Sequence, residues 1–175
     1  GVKYTTCRFL AEQVVHRVFR KLGRSSPAVA TDRTRLVGGE IERVAEFTRD
    51  AIAACAGRYP PDVVRHLVAN YGTCWRHVLA PVEGDASLAA LVPGSGEVLK
   101  AELVHALRGE CCGHLDDLVL RRTDLGTLGH PGREALQCCV ELAQVELGWD
   151  DARCAAELER VEDGFTFPDA PRSAG

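Results

Sequence analysis

Gly1-Val2-Lys3-Tyr4-Thr5-Thr6-Cys7-Arg8 runs without a break into Phe9-Leu10-Ala11-Glu12-Gln13-Val14-Val15-His16-Arg17-Val18-Phe19-Arg20-Lys21-Leu22-Gly23. Leu10, Val14, Val18 and Leu22 recur every four residues, with Ala11, Val15 and Phe19 beside them; Arg8, Glu12, His16 and Arg20 form a second row. Side chains three and four apart share a helix face, so the pattern predicts an amphipathic helix with a core-facing stripe. Thr5 or Thr6 suits its N-cap and Gly23 its C-terminal stop. The first N–H groups of a helix lack internal partners and carry partial positive charge. Such a start can hold an anion or the electron-rich edge of a ring. The start stands at the first residues and the chain has no methionine. The expectation is therefore a processed product or fragment, the C-terminal part of a larger protein whose other part meets this turn.

Further along, the same apolar spacing recurs between glycine and proline punctuation. It predicts a helix over 42–56 on Val44, Phe47, Ala51, Ile52 and Cys55, closed by Gly57. Pro60-Pro61 starts the next, with Val63, Val64, Leu67 and Val68 inward, stopping at Asn70-Tyr71-Gly72. A short helix over 73–79 carries Trp75 and Val78, and a turn or two is expected over 86–91. The stretch 97–108 reads as helix with Leu99, Leu103, Ala106 and Leu107 inward, broken near Gly113. A helix over 115–120 follows, its acidic pair Asp116-Asp117 and its basic pair Arg121-Arg122 placed as the helix dipole favours. Pro131 opens a helix with Leu136, Cys139, Val140, Ala143 and Leu147 on one face, stopped by Gly148; Asp150 caps a last one to about 162 with Cys154, Leu158 and Val161 inward. No convincing strand and no repeat appears, so the expected fold is all-α, an irregular bundle of seven or eight helices. The expected domains are a seam over 1–8, a helical domain over 9–167 and a loose tail over 168–175.

Composition narrows the function. Hydrophobic residues make up 46%, enough for a real core, and the net charge of −4 leaves no footprint for nucleic acid. No apolar run reaches the roughly 18 residues that span a membrane. The eight cysteines form no CxxC pair and mostly occupy apolar helix positions. That usage fits a reducing compartment such as the cytoplasm. Cys112-Gly113-His114 lacks a second pair at zinc spacing, so no metal ligand is assigned. No catalytic residue is assigned either, because no nucleophile motif, P-loop or dinucleotide fingerprint is present. Asp117 and Arg121 stand four apart and can pair along one helix. That group is either a self-paired solvated face or a surface that docks on another domain.

Four stretches, in order, carry a resemblance. Gly1-Val2-Lys3-Tyr4-Thr5-Thr6-Cys7-Arg8 with Ala11-Glu12 resembles a Gly-Gly-Lys-x-Thr-Thr-x-Arg…Ala-Glu pattern, and Leu36-Val37-Gly38-Gly39 a Leu-x-Gly-Gly turn. Leu115-x-Asp117-x-x-Leu120-Arg121-Arg122-Thr123 resembles a Leu-x-Asp-x-x-x-Arg-Arg-Thr helix, and Glu146-Leu147-Gly148-Trp149 a Glu-Leu-Gly-Trp turn. Together they resemble the C-terminal portion of FAD-dependent glycerol-3-phosphate dehydrogenases. Val2 stands where many members have a second glycine, and Cys7 where tyrosine is usual. The resemblance implies an upstream domain of the same protein that holds FAD and glycerol 3-phosphate, with a quinone as electron acceptor. It implies that Lys3 helps bind the substrate phosphate or polarises its reacting oxygen. The backbone around Val2 and the Thr5–Thr6 helix start would face the pyrimidine side of the flavin. For the helical remainder it leaves three roles: shaping the cleft, supporting a homodimer, or holding the flavin domain. It also implies peripheral attachment at the inner face of the cell membrane. The fragment alone is expected to be inactive. Two other readings stand beside this one, a non-catalytic helical interaction module and a piece of a glycerol-3-phosphate oxidase that uses oxygen.

Overall fold

The computed structural model describes residues 3–165; Val2 and the tail after 165 lie outside them. The chain divides into two compact units, residues 1–40 and 41–175. The division falls after Glu40, and the seam expected over 1–8 lies within the first unit's span.

In the first unit a 3-10 turn, Tyr4–Thr6, leads into α1, Cys7–Lys21. The helix stops as its glycine requires. Gly23 takes φ +64, its N–H donates to the Arg20 carbonyl at 3.1 Å, and the Arg24 N–H donates to Phe19 at 3.0 Å. This pair of bonds recovers carbonyls that a helix end would otherwise leave unpaired. The segment after α1 is irregular. Leu36 to Gly39 is a turn, closed by Gly39 N–H on the Leu36 carbonyl at 2.8 Å with Gly38 at φ +83.

The second unit holds α2 (Val44–Cys55), α3 (Pro61–Tyr71), α4 (Trp75–Val78), α5 (Lys100–Gly109), α6 (Leu115–Asp117), α7 (Arg133–Leu147) and α8 (Asp151–Phe165). Short 3-10 turns link α3 to α5, and a π-turn, Leu118–Arg122, continues α6. Every element named among the described residues is helical. A single antiparallel bridge joins Leu91 to Leu99.

α5 is the centre of this unit. Leu103, Ala106 and Leu107 join one buried cluster with α6, α7 and α8, while Ala101 and Val104 join a second with α2, α3 and α4. A helix whose apolar residues feed two clusters on different sides sits between them. On its edge Arg108 forms a two-pronged pair with Glu146 of α7, both contacts at 2.7 Å. At 25 cal/mol per Å², each fully buried leucine on this helix contributes roughly 2 kcal/mol before chain entropy is counted.

Three expectations need correction. α5 begins at Lys100, not 97, because Val92 N–H bonds the Val98 carbonyl and Lys100 N–H bonds the Ala90 carbonyl, both at 2.9 Å; those backbone pairs hold Leu99 extended, bridged to Leu91. α7 begins at Arg133 after Gly132, whose φ of +97 is incompatible with a helix starting at Pro131, and Leu147 is 37% exposed. The stripe Leu10, Val14, Val18 and Leu22 faces no core: α1 has no buried residue. Among the described residues no helix is long and apolar enough to cross a membrane.

Candidate functional site

The first candidate is the start of α1. Lys3 is exposed, one residue before the 3-10 turn, and Thr5 and Thr6 follow on that turn, also exposed. Thr6 is the N-cap residue, but its side chain does not cap. Its hydroxyl donates back to the Lys3 carbonyl at 2.9 Å, and its N–H donates to the same oxygen at 2.9 Å. No acidic residue stands in the first turn. The helix start therefore keeps its positive end free of side-chain acceptors and acids, with a lysine beside it. Arg8 donates to the Thr34 carbonyl at 2.6 Å and braces the segment that follows α1. Of the four residues expected at a flavin and phosphate site, Lys3, Thr5 and Thr6 lie together on one turn, and Val2 lies outside the described residues. This turn can supply a cation and N–H donors to an anion; the described residues of the turn add no walls around one.

The second candidate is the Asp116–Arg122 group. Arg121 Nη1 bridges Asp116 at 2.9 Å and Asp117 at 3.0 Å. The other Asp117 oxygen accepts the N–H groups of Gly113 and His114, each at 3.1 Å. Burial pushes the Asp116 carboxyl upward, yet Arg121 and Arg160 hold it below the ordinary range. Its Oδ1 is buried with no partner. The Thr123 hydroxyl closes the π-turn on the Leu118 carbonyl at 2.7 Å. Gly126 N–H returns to the Val119 carbonyl at 2.9 Å, so close that a side chain at 126 would stand 2.5 Å from Leu120 Cδ2. Arg121 is thus self-paired within its own helix. Arg122 faces the Cys112 thiol, which burial pushes up to about 11. That thiol is protonated at neutral pH and is no nucleophile.

Two buried carboxylates were not singled out by sequence. Glu157 of α8 accepts Leu115 N–H at 2.9 Å, His114 Nδ1 at 2.8 Å and Arg153 at 2.7 Å. Burial raises its pKa, but these donors win and hold it below the usual range. Glu102 of α5 is 1% exposed, meets His66 Nε2 at 2.9 Å and accepts Leu99 N–H at 2.8 Å. The available signal was a charged residue inside the apolar run Ala101–Val104, and a histidine inside Val63–Val68. Their pairing, 36 residues apart, is set by how α3 and α5 pack.

A family model described as the C-terminal domain of alpha-glycerophosphate oxidase matches residues 29–154. Glycerol-3-phosphate dehydrogenase 2 of Mycobacterium bovis is 30% identical over 170 residues, covering 93% of this chain and 28% of that protein. The glycerol-3-phosphate dehydrogenase of Synechocystis is 27% identical over 93% of this chain and 29% of its own length. The mitochondrial glycerol-3-phosphate dehydrogenase of Bos taurus is 27% identical over 91% of this chain and 22% of its own length. The chain thus spans under a third of each of these relatives.

Proposed function

The chain belongs to the family of the C-terminal domain of alpha-glycerophosphate oxidase, and from that premise we propose that it is the helical C-terminal part of an FAD-dependent glycerol-3-phosphate dehydrogenase. The parent oxidises sn-glycerol 3-phosphate to dihydroxyacetone phosphate, with a quinone as final electron acceptor. The observation that carries this reading is the start of α1, an uncapped, acid-free helix N-terminus with Lys3 beside it.

FAD, held mainly by the upstream domain, would supply the hydride acceptor for the secondary alcohol. The residues proposed for it in this chain would stand at its pyrimidine side. The N–H groups that Thr5 and Thr6 lead into would stabilise negative charge at that edge, as fixed donors do best. The backbone around Val2 is proposed to face the same edge. The Lys3 ammonium would bind the substrate phosphate or polarise the reacting oxygen. The bare stripe Leu10–Leu22 would be covered by the flavin domain, so the seam proposed at 1–8 runs on through α1. A homodimer and peripheral attachment at the inner face of the membrane complete the reading; sedimentation and salt extraction of the parent test these.

In the full-length parent, Lys3→Ala should raise KM or lower kcat by about tenfold or more, the size expected for loss of a charged contact. Unchanged kinetics would leave Lys3 a surface residue. The 175-residue chain, mixed with FAD and substrate, should reduce no dye; reduction would overturn the claim that the site is shared. The name of the matching family favours one further reading, oxygen as acceptor, which peroxide formation by the parent would reveal.

A further inference from the structure

A cavity of about 710 Å³ opens between the loop 93–98 and the loop 124–131, and His66 lies against it. The His66 side chain is only 5% exposed. Its two ring nitrogens face different surroundings. Nε2 meets buried Glu102 at 2.9 Å, and Glu102 is further held by Leu99 N–H and the Tyr71 hydroxyl. Nδ1 faces Glu97 Oε2 at 3.5 Å on one loop and Asp124 Oδ2 at 3.8 Å on the other. Asn70 Nδ2 lies 3.3 Å from Nδ1 and donates to Asp124 at 2.9 Å.

We propose that His66 is a proton-operated clasp on this cavity, drawing both loops toward α3 when its ring is charged and releasing them when it is neutral. In the charged ring Nδ1 carries a proton and attracts Glu97 and Asp124. In the neutral ring, with Nε2–H kept on Glu102, Nδ1 becomes a lone pair. It then repels both carboxylates and accepts from Asn70, which is already in reach. The α3–α5 contact through Nε2 survives either way, so the change is confined to the loops.

The groups that face the ring are Glu102 and Tyr71 at its inner side, and Glu97, Asp124 and Asn70 at its outer side. Across the cavity His130 is occupied by Glu162 at 2.8 Å. Among the described residues no lysine or arginine lines the cavity. Three carboxylates around one imidazole favour its charged form: the Glu102 hydrogen bond is the largest influence, burial opposes it, and the net direction is upward from 6.5. The clasp is therefore closed at pH below the ordinary histidine value and opens as pH rises through the raised one.

The test is carried out on the full 175-residue chain. Hydrogen exchange of residues 94–98 and 124–130, corrected for intrinsic rate, is followed from about pH 6 to about pH 9, alongside NMR titration of the His66 ring. Protection of both loops should fall ~3-fold or more along the His66 titration, while α7 stays unchanged. In the double variant Glu97→Gln with Asp124→Asn, both exposed, the ring should still titrate but the loops should lose their pH response. Loops indifferent to pH while His66 titrates would overturn the proposal. So would an undiminished response in the double variant.

Discussion

α1 and α7 are each fifteen residues long, and each carries an apolar stripe at helical spacing. α7 buries Ala135, Leu136, Cys138, Cys139, Val140 and Ala143. α1 buries nothing, and its Phe9 is 64% exposed. The periodicity is the same and the outcome opposite. An amphipathic stripe states that a helix has a partner surface; it does not state that the partner lies in the same unit. Large bare stripes of this kind mark interaction surfaces.

The contrast can be broken most forcefully in the core. Leu136→Ala should cost about 2–5 kcal/mol in a urea melt, because the side chain is 1% exposed and leaves a cavity. Val14→Ala on α1 should cost under about 0.5 kcal/mol in the same chain. Equal losses would mean that the stripe is covered after all. Next in size is Glu157→Ala, about 3 kcal/mol, since it strands His114, Arg153 and the Leu115 N–H around a buried hole. Its folded pKa is depressed. Its contribution is therefore present above the ordinary carboxylate value and lost as pH falls through the folded one; acid melts of wild type and Glu157→Gln should converge there.

A substitution that separates the two surroundings is Val14→Glu with Val18→Glu. In the isolated chain these should leave melting within about 0.5 kcal/mol. In the full-length parent they should lower flavin content, read from absorbance; normal flavin loading would remove the upstream domain as the cover of α1. The smallest effect concerns His66. Its folded pKa is raised. Its stabilisation is complete below about 6.5 and is lost as pH rises through the folded value. Melts between about pH 6 and pH 8 read this before the thiols titrate. A flat profile would show that the ring binds its proton no more tightly in the folded chain than in the unfolded one.

The sequence announced helix ends well, because ends depend on local chemistry. Gly23 and Gly148 stop helices with positive φ, Pro61 occupies a first turn, and Asp150 Oδ1 accepts Arg153 N–H at 2.7 Å. The Asp117–Arg121 pair followed from spacing alone. What sequence concealed was set by distant backbone or by packing. The extended backbone at Leu99 depends on Ala90 and Val92, and Glu102 finds His66 only once α3 lies on α5. The same limit applies to the site. Lys3, Thr5 and Thr6 sit on one turn as their adjacency requires, but sequence alone gave no sign that Thr6 would turn its hydroxyl backward.

The π-turn at Leu118–Arg122 has a consequence for descent by insertion and deletion. A π-turn holds one residue more than the α-helical circuit it replaces. Deleting one residue there would restore regular winding and rotate everything beyond it by about 100°. Arg121 would leave Asp116, Thr123 would leave the Leu118 carbonyl, and Gly126 would lose its seat on Val119. Lineages that keep this arginine pair should therefore tolerate substitution at Val119 far better than any change of length between Asp117 and Gly126.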